Sequence, residues 1–336
     1  MKRSRLITLL LLCLASTAHA QWIKQDVSTT ASLRGLSVVN EQIVWASGTG
    51  GTVIRTIDGG KSWNVIIVPG AEKLDFRDIE AFDANTAYIL SIGNGESSRI
   101  YKTIDGGKNW ELQFKNTNEK AFFDALACSD KYSCHAVSDP VKALFLIVGT
   151  LDGGSHWDIE RWDGLYAVPG QAAFAASGTC LISSHNRLFL VSGGEKASVY
   201  QAMLLESSGS FSRLDTQIVS GSNGSGIFSI AMFDYNRGVI VGGNYEKPDE
   251  HVNNLALTAD GGRTWTLGSG LSGYRSGVAY VAKNTILAVG TSGSDISVNS
   301  GRSWKKMGSE NLNAVAAKGK RSVWAVGPKG MVARMK

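Results

Sequence analysis

The sequence predicts an all-β fold, a seven-bladed β-propeller with four antiparallel strands in each blade. The first observation is a short phrase that recurs along the chain. The second is that β-branched and aromatic runs alternate with clusters of Gly, Asn, Asp and Ser, with 39 glycines but only 5 prolines. Repeats spaced by roughly 40 to 55 residues without helical periodicity are typical of propellers and solenoids. Short, evenly spaced strands bounded by turn residues indicate an all-β architecture.

The repeated phrase, called the Asp-box below, reads TxDGGxxW in its fullest form, with an Asp or Asn five residues before a Trp. The five clear copies are Asp58 with Trp63, Asp105 with Trp110, Asp152 with Trp157, Asp260 with Trp265, and Asn299 with Trp304. A degenerate copy, ESSGSF, occupies residues 206–211. The glycines free the turn backbone and the carboxylate accepts turn N–H groups. We therefore expect structural staples rather than sugar or metal sites.

Counting the strand-like runs in sets of four predicts seven units. They begin near Leu33, Phe76, Phe123, Phe174, Phe228, Tyr274 and Leu312. The seventh unit has only three strands, whereas residues 21–27 form an orphan strand at the other end. We expect this N-terminal strand to join the last blade, so that neither end leaves an unpaired edge. Residues 21–336 then form a single propeller.

The first 20 residues have the pattern of a secretory signal peptide. Lys2, Arg3 and Arg5 precede an apolar run over residues 6–15, and Ala18-His19-Ala20 resembles a cleavage site. This run is too short to span a bilayer, so we expect no transmembrane segment after its removal. The predicted product is exported, to the periplasm or the extracellular space.

The net charge of the predicted mature chain narrows the class of partner. The predicted signal peptide holds three of the 34 Lys and Arg residues, which leaves 31 against 29 acidic residues. A charge of about +2 does not predict a nucleic-acid partner.

Cys128 and Cys134 bracket a probable hairpin turn and are able to pair in an oxidising compartment, with Cys180 left over. The alternative, three unpaired thiols, stays open at this stage.

Four-stranded antiparallel blades determine which turns share a face. All Asp-boxes lie between third and fourth strands, and therefore on one face; the turns between second and third strands, and the connections between blades, lie on the other. This second face, called the funnel face below, carries the candidate ligand- or partner-binding residues. They are Arg34, Arg77, Asp78, Arg99, Tyr245, Lys247, Tyr274 and Arg275.

Three of the funnel-face arginines occupy what the count treats as equivalent places in blades 1, 2 and 6. These places are near neighbours in a ring of seven, so one interpretation is that Arg34, Arg77 and Arg275 converge on one anionic group. The competing interpretation pairs each arginine with a nearby acid such as Asp75 or Asp78 and gives it a purely structural role.

Catalytic chemistry has few candidates in this sequence. Asp124 and Asp139 in blade 3 are suited to general acid/base work only if their surroundings separate their pKa values. The histidines and cysteines lack metal-ligand spacing, so no metal site is predicted. Nucleophile-elbow, P-loop and dinucleotide motifs are not found, and no cofactor is expected.

The five Asp-boxes resemble the BNR/Asp-box superfamily of propellers. Together with FRDIEAFD, FFDALAC, SDPV, FAASGTCL, GGNYEKPD, SGYRSGVAY and GSD, they resemble most the bacterial photosystem II stability/assembly factor-like family. The resemblance covers essentially residues 21–336. It implies an exported seven-bladed propeller with a non-catalytic role, holding a membrane-protein assembly intermediate. A basic patch matters in that family, and Arg34, Arg77, Arg99 and Arg275 are the positions carried over.

Two functional hypotheses follow. The first is an exported, non-catalytic binding or assembly module that contacts a protein partner or anionic ligand through its arginine-containing funnel face. The alternative is a glycoside hydrolase or sialidase-like enzyme that acts on an anionic carbohydrate, with Asp124 or Asp139 as acid/base. Sialidases of this superfamily differ in having six blades and an Arg-Ile-Pro motif, which this sequence lacks.

Overall fold

The computed structural model describes residues 21–204 and 209–336. Seven antiparallel sheets in chain order form the seven blades of a propeller, as predicted. The predicted signal peptide, residues 1–20, lies outside the described residues, as does part of the degenerate Asp-box copy. Among the described residues, no helix is long and apolar enough to cross a bilayer.

The first strand of the described chain, β1 (Trp22–Lys24), lies in the last blade. The first three blades follow in order. Blade 1 contains β2 (Leu33–Val38), β3 (Val44–Gly48), β4 (Thr52–Thr56) and β5 (Asn64–Ile67); blade 2 contains β6 (Phe76–Ala81), β7 (Ala87–Ser91), β8 (Arg99–Thr103) and β9 (Glu111–Lys115), with a 3-10 turn at Gly95–Ser97; blade 3 contains β10 (Phe123–Cys128), β11 (Cys134–Val141), β12 (Leu144–Thr150) and β13 (Asp158–Glu160).

Blades 4 and 5 are interleaved by two short strands, β14 (Gln171–Ala172) and β17 (Gly193–Gly194), which extend the sheet of blade 5. The remaining strands follow in order. Blade 4 contains β15 (Leu181–Ser184), β16 (Arg187–Val191), β18 (Ser198–Met203) and β19 (Ser212–Asp215); blade 5 contains β20 (Ser222–Met232), β21 (Gly238–Asn244), β22 (Leu255–Thr258) and β23 (Thr266–Leu267); blade 6 contains β24 (Gly277–Ala282), β25 (Thr285–Gly290), β26 (Gly293–Ser297) and β27 (Lys305–Gly308); blade 7 contains β28 (Ala314–Ala317), β29 (Val323–Val326) and β30 (Val332–Met335).

The ring closes as the sequence predicts. Strand β1 pairs antiparallel with β30, with Trp22 opposite Met335, and supplies the fourth strand of blade 7. Without β1, the outer edge of β30 would present unpaired N–H and C=O groups.

The five clear Asp-boxes form the same hydrogen-bonded turn. In the first copy, the Thr56 hydroxyl donates to Asp58 Oδ1 at 2.8 Å, and Asp58 Oδ1 accepts the Ser62 backbone N–H at 3.0 Å. The tryptophan that follows packs on the preceding blade: Trp63 lies edge-on to Trp324 of blade 7, with ring centroids 5.5 Å apart. The boxes therefore tie neighbouring blades together, the role expected for staples.

The structure contains one of the two arrangements that the sequence leaves open for the cysteines. Cys128 and Cys134 are direct partners across the β10–β11 hairpin, with Cα atoms 4.0 Å apart, and form a disulfide. Cys180 is buried with a free thiol.

Two predicted strand starts are wrong. The innermost strand of blade 5 is predicted to begin near Phe228, but β20 begins at Ser222 and contains Phe228. The innermost strand of blade 4 is predicted to begin near Phe174, but β15 begins at Leu181. Residues 173–179, called the plug segment below, precede it without forming a strand. Backbone groups of Ala173, Ala175 and Ala176 bond to side chains of other blades, as described next, whereas the Thr179 carbonyl accepts the Ile230 backbone N–H of blade 5 at 3.1 Å.

Candidate functional site

A β-bulge near the start of the innermost strand decides which side chains enter the central channel. In blades 1, 2 and 3 the strand register skips one residue, and that residue is Arg34, Arg77 and Asp124 respectively. A bulge sets two residues against one on the partner strand and re-aims the extra side chain. In blade 5 the residue at the bulge is Phe228. The same device thus sends an arginine toward the axis from blades 1 and 2, an aspartate from blade 3 and a phenylalanine from blade 5.

The plug segment is held by side chains and backbone groups from several blades. Arg77 donates to the Ala175 carbonyl and Arg34 to the Ala176 carbonyl, both at 3.1 Å. Asp139 of blade 3 accepts the Ala173 backbone N–H at 2.9 Å.

The far end of the plug segment is held by blades 5 and 6. The Ser177 hydroxyl donates to the Ser276 carbonyl at 2.7 Å, and the hydroxyls of Thr179 and Ser229 lie 2.6 Å apart. Because these partners surround the axis, the plug segment lies across the funnel-face mouth of the channel.

A cavity of about 340 Å³ opens beside the plug segment on the funnel face. It is lined by Arg34, Arg77, Phe174, Ala175, Ala176, Phe228, Tyr245, Tyr274, Ser276, Thr291 and Asn313. Phe174 and Phe228 stack face to face with centroids 3.9 Å apart, and Tyr274 meets Phe228 edge-on at 4.8 Å. The cavity therefore combines two guanidinium groups with an aromatic wall.

The two guanidinium groups in this cavity are incompletely neutralised. Arg77 pairs with Asp75, with Nε to Oδ2 at 2.8 Å, whereas Arg34 has no ion pair among the described residues. Burial, and then the positive charge of Arg77, lower the pKa of Arg34. The described residues that line the cavity include these two guanidinium groups and no carboxylate, which favours binding of an anionic group such as a carboxylate.

Arg275 does not join Arg34 and Arg77, and the predicted convergence of three arginines is corrected here. Its backbone N–H donates to a glycine carbonyl of the preceding blade at 2.9 Å, as that of Leu33 does at 3.0 Å. Arg275 is thus the counterpart of Leu33, and Ser276 is the counterpart of Arg34. An offset of one residue along a strand moves a side chain to the other face of the sheet.

The side chain of Arg275 is fully buried in an ion pair with Asp295. Arg275 Nη2 lies 2.5 Å from Asp295 Oδ2, and Nε donates to the same oxygen at 2.7 Å. The remaining donors reach the Tyr274 carbonyl and the hydroxyls of Ser272 and Ser292. The interpretation of a purely structural arginine therefore holds for Arg275.

Three other predicted residues lie outside the cavity. Asp78 is buried, and its carboxylate accepts the backbone N–H groups of Ile79 and Leu126 at 2.8 and 2.7 Å. Arg99 donates to the Glu96 carbonyl, and Lys247 pairs with Glu250 on the exposed rim. Of the eight predicted residues, the structure brings together Arg34, Arg77, Tyr245 and Tyr274.

The sequence missed several lining residues. The sequence predicts Phe174 and Phe228 as strand starts and does not single out Ser276 or Asn313. The glycines that end the second strands of the blades supply a usable signal, because aligning Gly48, Gly290 and Gly327 places Ser276 and Asn313 level with Arg34.

The alternative catalytic pair, Asp124 and Asp139, lies near the axis but does not line the cavity. Asp124 is 2% exposed, and its Oδ2 atom has no hydrogen-bond partner among the described residues. Burial, and then the charge of Asp139, raise the pKa of Asp124 well above its usual range, while burial raises that of Asp139 to about 6. The pKa values of both carboxyls are raised because their side chains are buried away from water under the plug segment.

These buried acids predict a pH-dependent stability. Burial also raises the pKa of Asp78 to about 7, so the folded chain binds more protons than the unfolded chain between roughly pH 4 and 7. The contribution of these groups to stability is therefore present at low pH and is lost as pH rises through 6 and 7.

We expect Asp124→Asn to raise the free energy of unfolding at pH 8 by about 1–3 kcal/mol, and by less at pH 5, because burial penalises the ionised form of Asp124 and this penalty grows as pH rises above the ordinary pKa of the carboxyl. Urea denaturation at the two pH values measures this difference. Asp26→Asn, which changes an exposed acid, is the control. An equal gain at both pH values would contradict the assignment.

Comparison with known proteins connects this architecture to a family. Residues 14–118 match the model of the photosynthesis system II assembly factor YCF48 family. The predicted resemblance is confirmed. Among curated proteins, none matches the chain by sequence.

Solved structures support the fold. YCF48 bound to a D1 peptide is 16% identical, with a TM-score of 0.68 over 96% of this chain and 99% of that one. YCF48 from Cyanidioschyzon merolae is 15% identical, with a TM-score of 0.63 over 94% and 98%. U3-55K is 13% identical, with a TM-score of 0.61 over 95% and 98%. At these identities the likeness shows the seven-bladed fold alone, and none of the three supports the carbohydrate-enzyme alternative.

Proposed function

We propose that this chain is an exported assembly-factor-like module that binds a segment of a protein partner in the cavity beside the plug segment. The observation that carries the proposal is that Arg34 and Arg77 share a cavity walled by Phe174, Phe228 and Tyr274. An acidic group of the partner would accept hydrogen bonds from the guanidinium groups, and an apolar side chain would pack on the aromatic wall.

Two comparisons support a protein ligand. The family model that matches residues 14–118 is that of an assembly factor, and the similar YCF48 structure is bound to a D1 peptide. A membrane-protein assembly is therefore the proposed class of partner. Export with cleavage after Ala20, to the periplasm, completes the proposal; fractionation and N-terminal sequencing of the mature chain, expected to begin at Gln21, test it.

The arginine pair supplies the test of binding. We expect the double variant Arg34→Gln/Arg77→Gln to bind acidic peptides about a hundredfold more weakly, because two charge-assisted hydrogen bonds are lost. Fluorescence polarisation with a panel of labelled peptides, each carrying Asp, Glu or a free C-terminal carboxylate beside an apolar residue, measures the change.

The matched control is Arg99→Gln/Lys247→Gln, which removes the same charge from the funnel face outside the cavity. The affinity of this control variant for the peptides is expected to stay within about twofold of the wild-type affinity, since neither side chain lines the cavity. Equal losses in the two double variants would mean that general charge, not the cavity, attracts the peptide.

A further inference from the structure

The face opposite the funnel carries an exposed apolar residue at the tip of each of the five clear Asp-boxes. This residue lies between the Thr or Ser and the Asp or Asn of each box. The large side chains at this position, called the apolar tips below, are Ile57, Ile104, Leu151 and Val298, which are between 55% and 76% exposed. Ala259 holds the same place in blade 5 and is also exposed.

The turn geometry explains why these side chains remain in water. Each box folds its polar groups inward: in blade 2, Asp105 Oδ1 accepts the Asn109 backbone N–H at 2.9 Å and the Thr103 hydroxyl at 3.0 Å. The residue between Thr103 and Asp105 then points away from the turn. Because all five boxes are third-to-fourth-strand turns, Ile104 and its counterparts project from the same face of the ring.

A cation accompanies most of the tips. Four residues after the tip position, the boxes of blades 1, 2, 5 and 6 carry an exposed basic side chain. These are Lys61, Lys108, Arg263 and Arg302. None of these four basic side chains forms an ion pair among the described residues. The Asp carboxylates of the same turns instead accept hydrogen bonds from backbone N–H groups of their own turn. In blade 6, Asn299 replaces the box carboxylate, so Arg302 has no acid within its own turn.

Two aromatic side chains add to the same face. Tyr132 and Tyr235 lie in first-to-second-strand turns, which share the face of the Asp-boxes, and are 56% and 58% exposed. Tyrosine is favoured where an apolar ring must meet both water and lipid.

We propose that the Asp-box face docks on the surface of an anionic phospholipid bilayer. The apolar tips insert into the interfacial region, and the adjacent Lys and Arg side chains contact lipid phosphates. A protein interface needs a contiguous apolar centre that excludes water, whereas these tips are separated by polar turns. Separate apolar residues, three of which (Ile57, Ile104 and Val298) lie beside a cation, suit a lipid surface into which every tip enters independently. Docking this face would leave the cavity on the funnel face open to a partner.

The proposal is tested by co-sedimentation of residues 21–336 with vesicles of phosphatidylcholine, with and without phosphatidylglycerol. We expect at least about tenfold stronger partitioning onto the phosphatidylglycerol vesicles, reduced by added salt. Replacing the tips together (Ile57→Ser, Ile104→Ser, Leu151→Ser and Val298→Ser) is expected to lower binding by about tenfold or more. Replacing Lys61, Lys108, Arg263 and Arg302 by Gln should have an effect of the same size, and offers a second variant if the first fails to fold.

The matched control is Ile67→Ser/Ile159→Ser, which removes exposed apolar side chains from outer strands instead of the Asp-box turns. It should bind vesicles as the wild type does. Three outcomes would overturn the proposal. In the first, the wild-type protein binds both kinds of vesicle equally, and in the second, the control variant loses as much vesicle binding as the tip variant. The third outcome is a wild-type dimer that forms without vesicles and that the tip variant does not form. The last would make the face a self-association surface. Peptide binding in the opposite cavity is a separate readout, so failure here leaves the proposed function standing.

Discussion

Arg275→Met is expected to lower the free energy of unfolding by about 3–5 kcal/mol. The substitution leaves Asp295 without its partner, and both side chains are completely buried. Asp295 Oδ1 already lacks a hydrogen bond among the described residues, so the remaining carboxylate has little compensation. Chemical denaturation at neutral pH, monitored by tryptophan fluorescence, measures the loss.

The same substitution in blade 1 is the control for this prediction. Arg34→Met should cost about 1 kcal/mol or less, because Arg34 lines an open cavity and no buried countercharge depends on it. The double variant Arg275→Met/Asp295→Leu should recover most of the stability, since it removes both buried charges. Equal losses from Arg275→Met and Arg34→Met would contradict the distinction between the two arginines.

Trp22→Ala is also expected to lower the free energy of unfolding by about 3–5 kcal/mol, since Trp22 packs the closing strand β1 into the core. Trp22 is 7% exposed and packs with Val289, Leu312 and Val323 in the core between blades 6 and 7. Its indole N–H donates to the Ser294 hydroxyl of blade 6 at 3.0 Å. Urea denaturation gives the change in unfolding free energy.

The control for ring closure lies on the same strand. Ile23 follows Trp22 but faces solvent, at 47% exposed, so Ile23→Ala should change stability by less than about 0.5 kcal/mol. If the two variants lost stability equally, the effect would come from the strand's backbone pairing with β30 and not from the tryptophan in the core.

Sequence reasoning was strongest where local chemistry repeats. The Asp-box is a self-contained turn whose hydrogen bonds run between residues two and four apart, so its five copies locate the third and fourth strands of five blades. The short predicted hairpin also places Cys128 near Cys134, but the sequence leaves their pairing open and the structure shows the disulfide. These features depend on neighbours along the chain, and the chain displays them directly.

The site was predicted only in part, because it depends on register between distant strands. Arg34 and Arg77 share the cavity since each is the bulged residue of its strand, whereas Arg275 lies one place earlier and is buried. Nothing local to Arg275 distinguishes it from Arg34. A strand alternates its two faces residue by residue, so an error of one position exchanges a cavity wall for a buried ion pair.

By itself, the sequence determined the all-β class, the seven repeats, the closure by residues 21–27 and the position of every clear Asp-box. Only the tertiary structure decided which funnel-face residues meet, because the plug segment gathers contacts from blades that are distant along the chain. It also decided that Phe174 stacks on Phe228 instead of opening a strand. Local hydrogen bonding encodes the repeated turns, whereas the centre of the closed ring depends on the innermost strands of all seven blades.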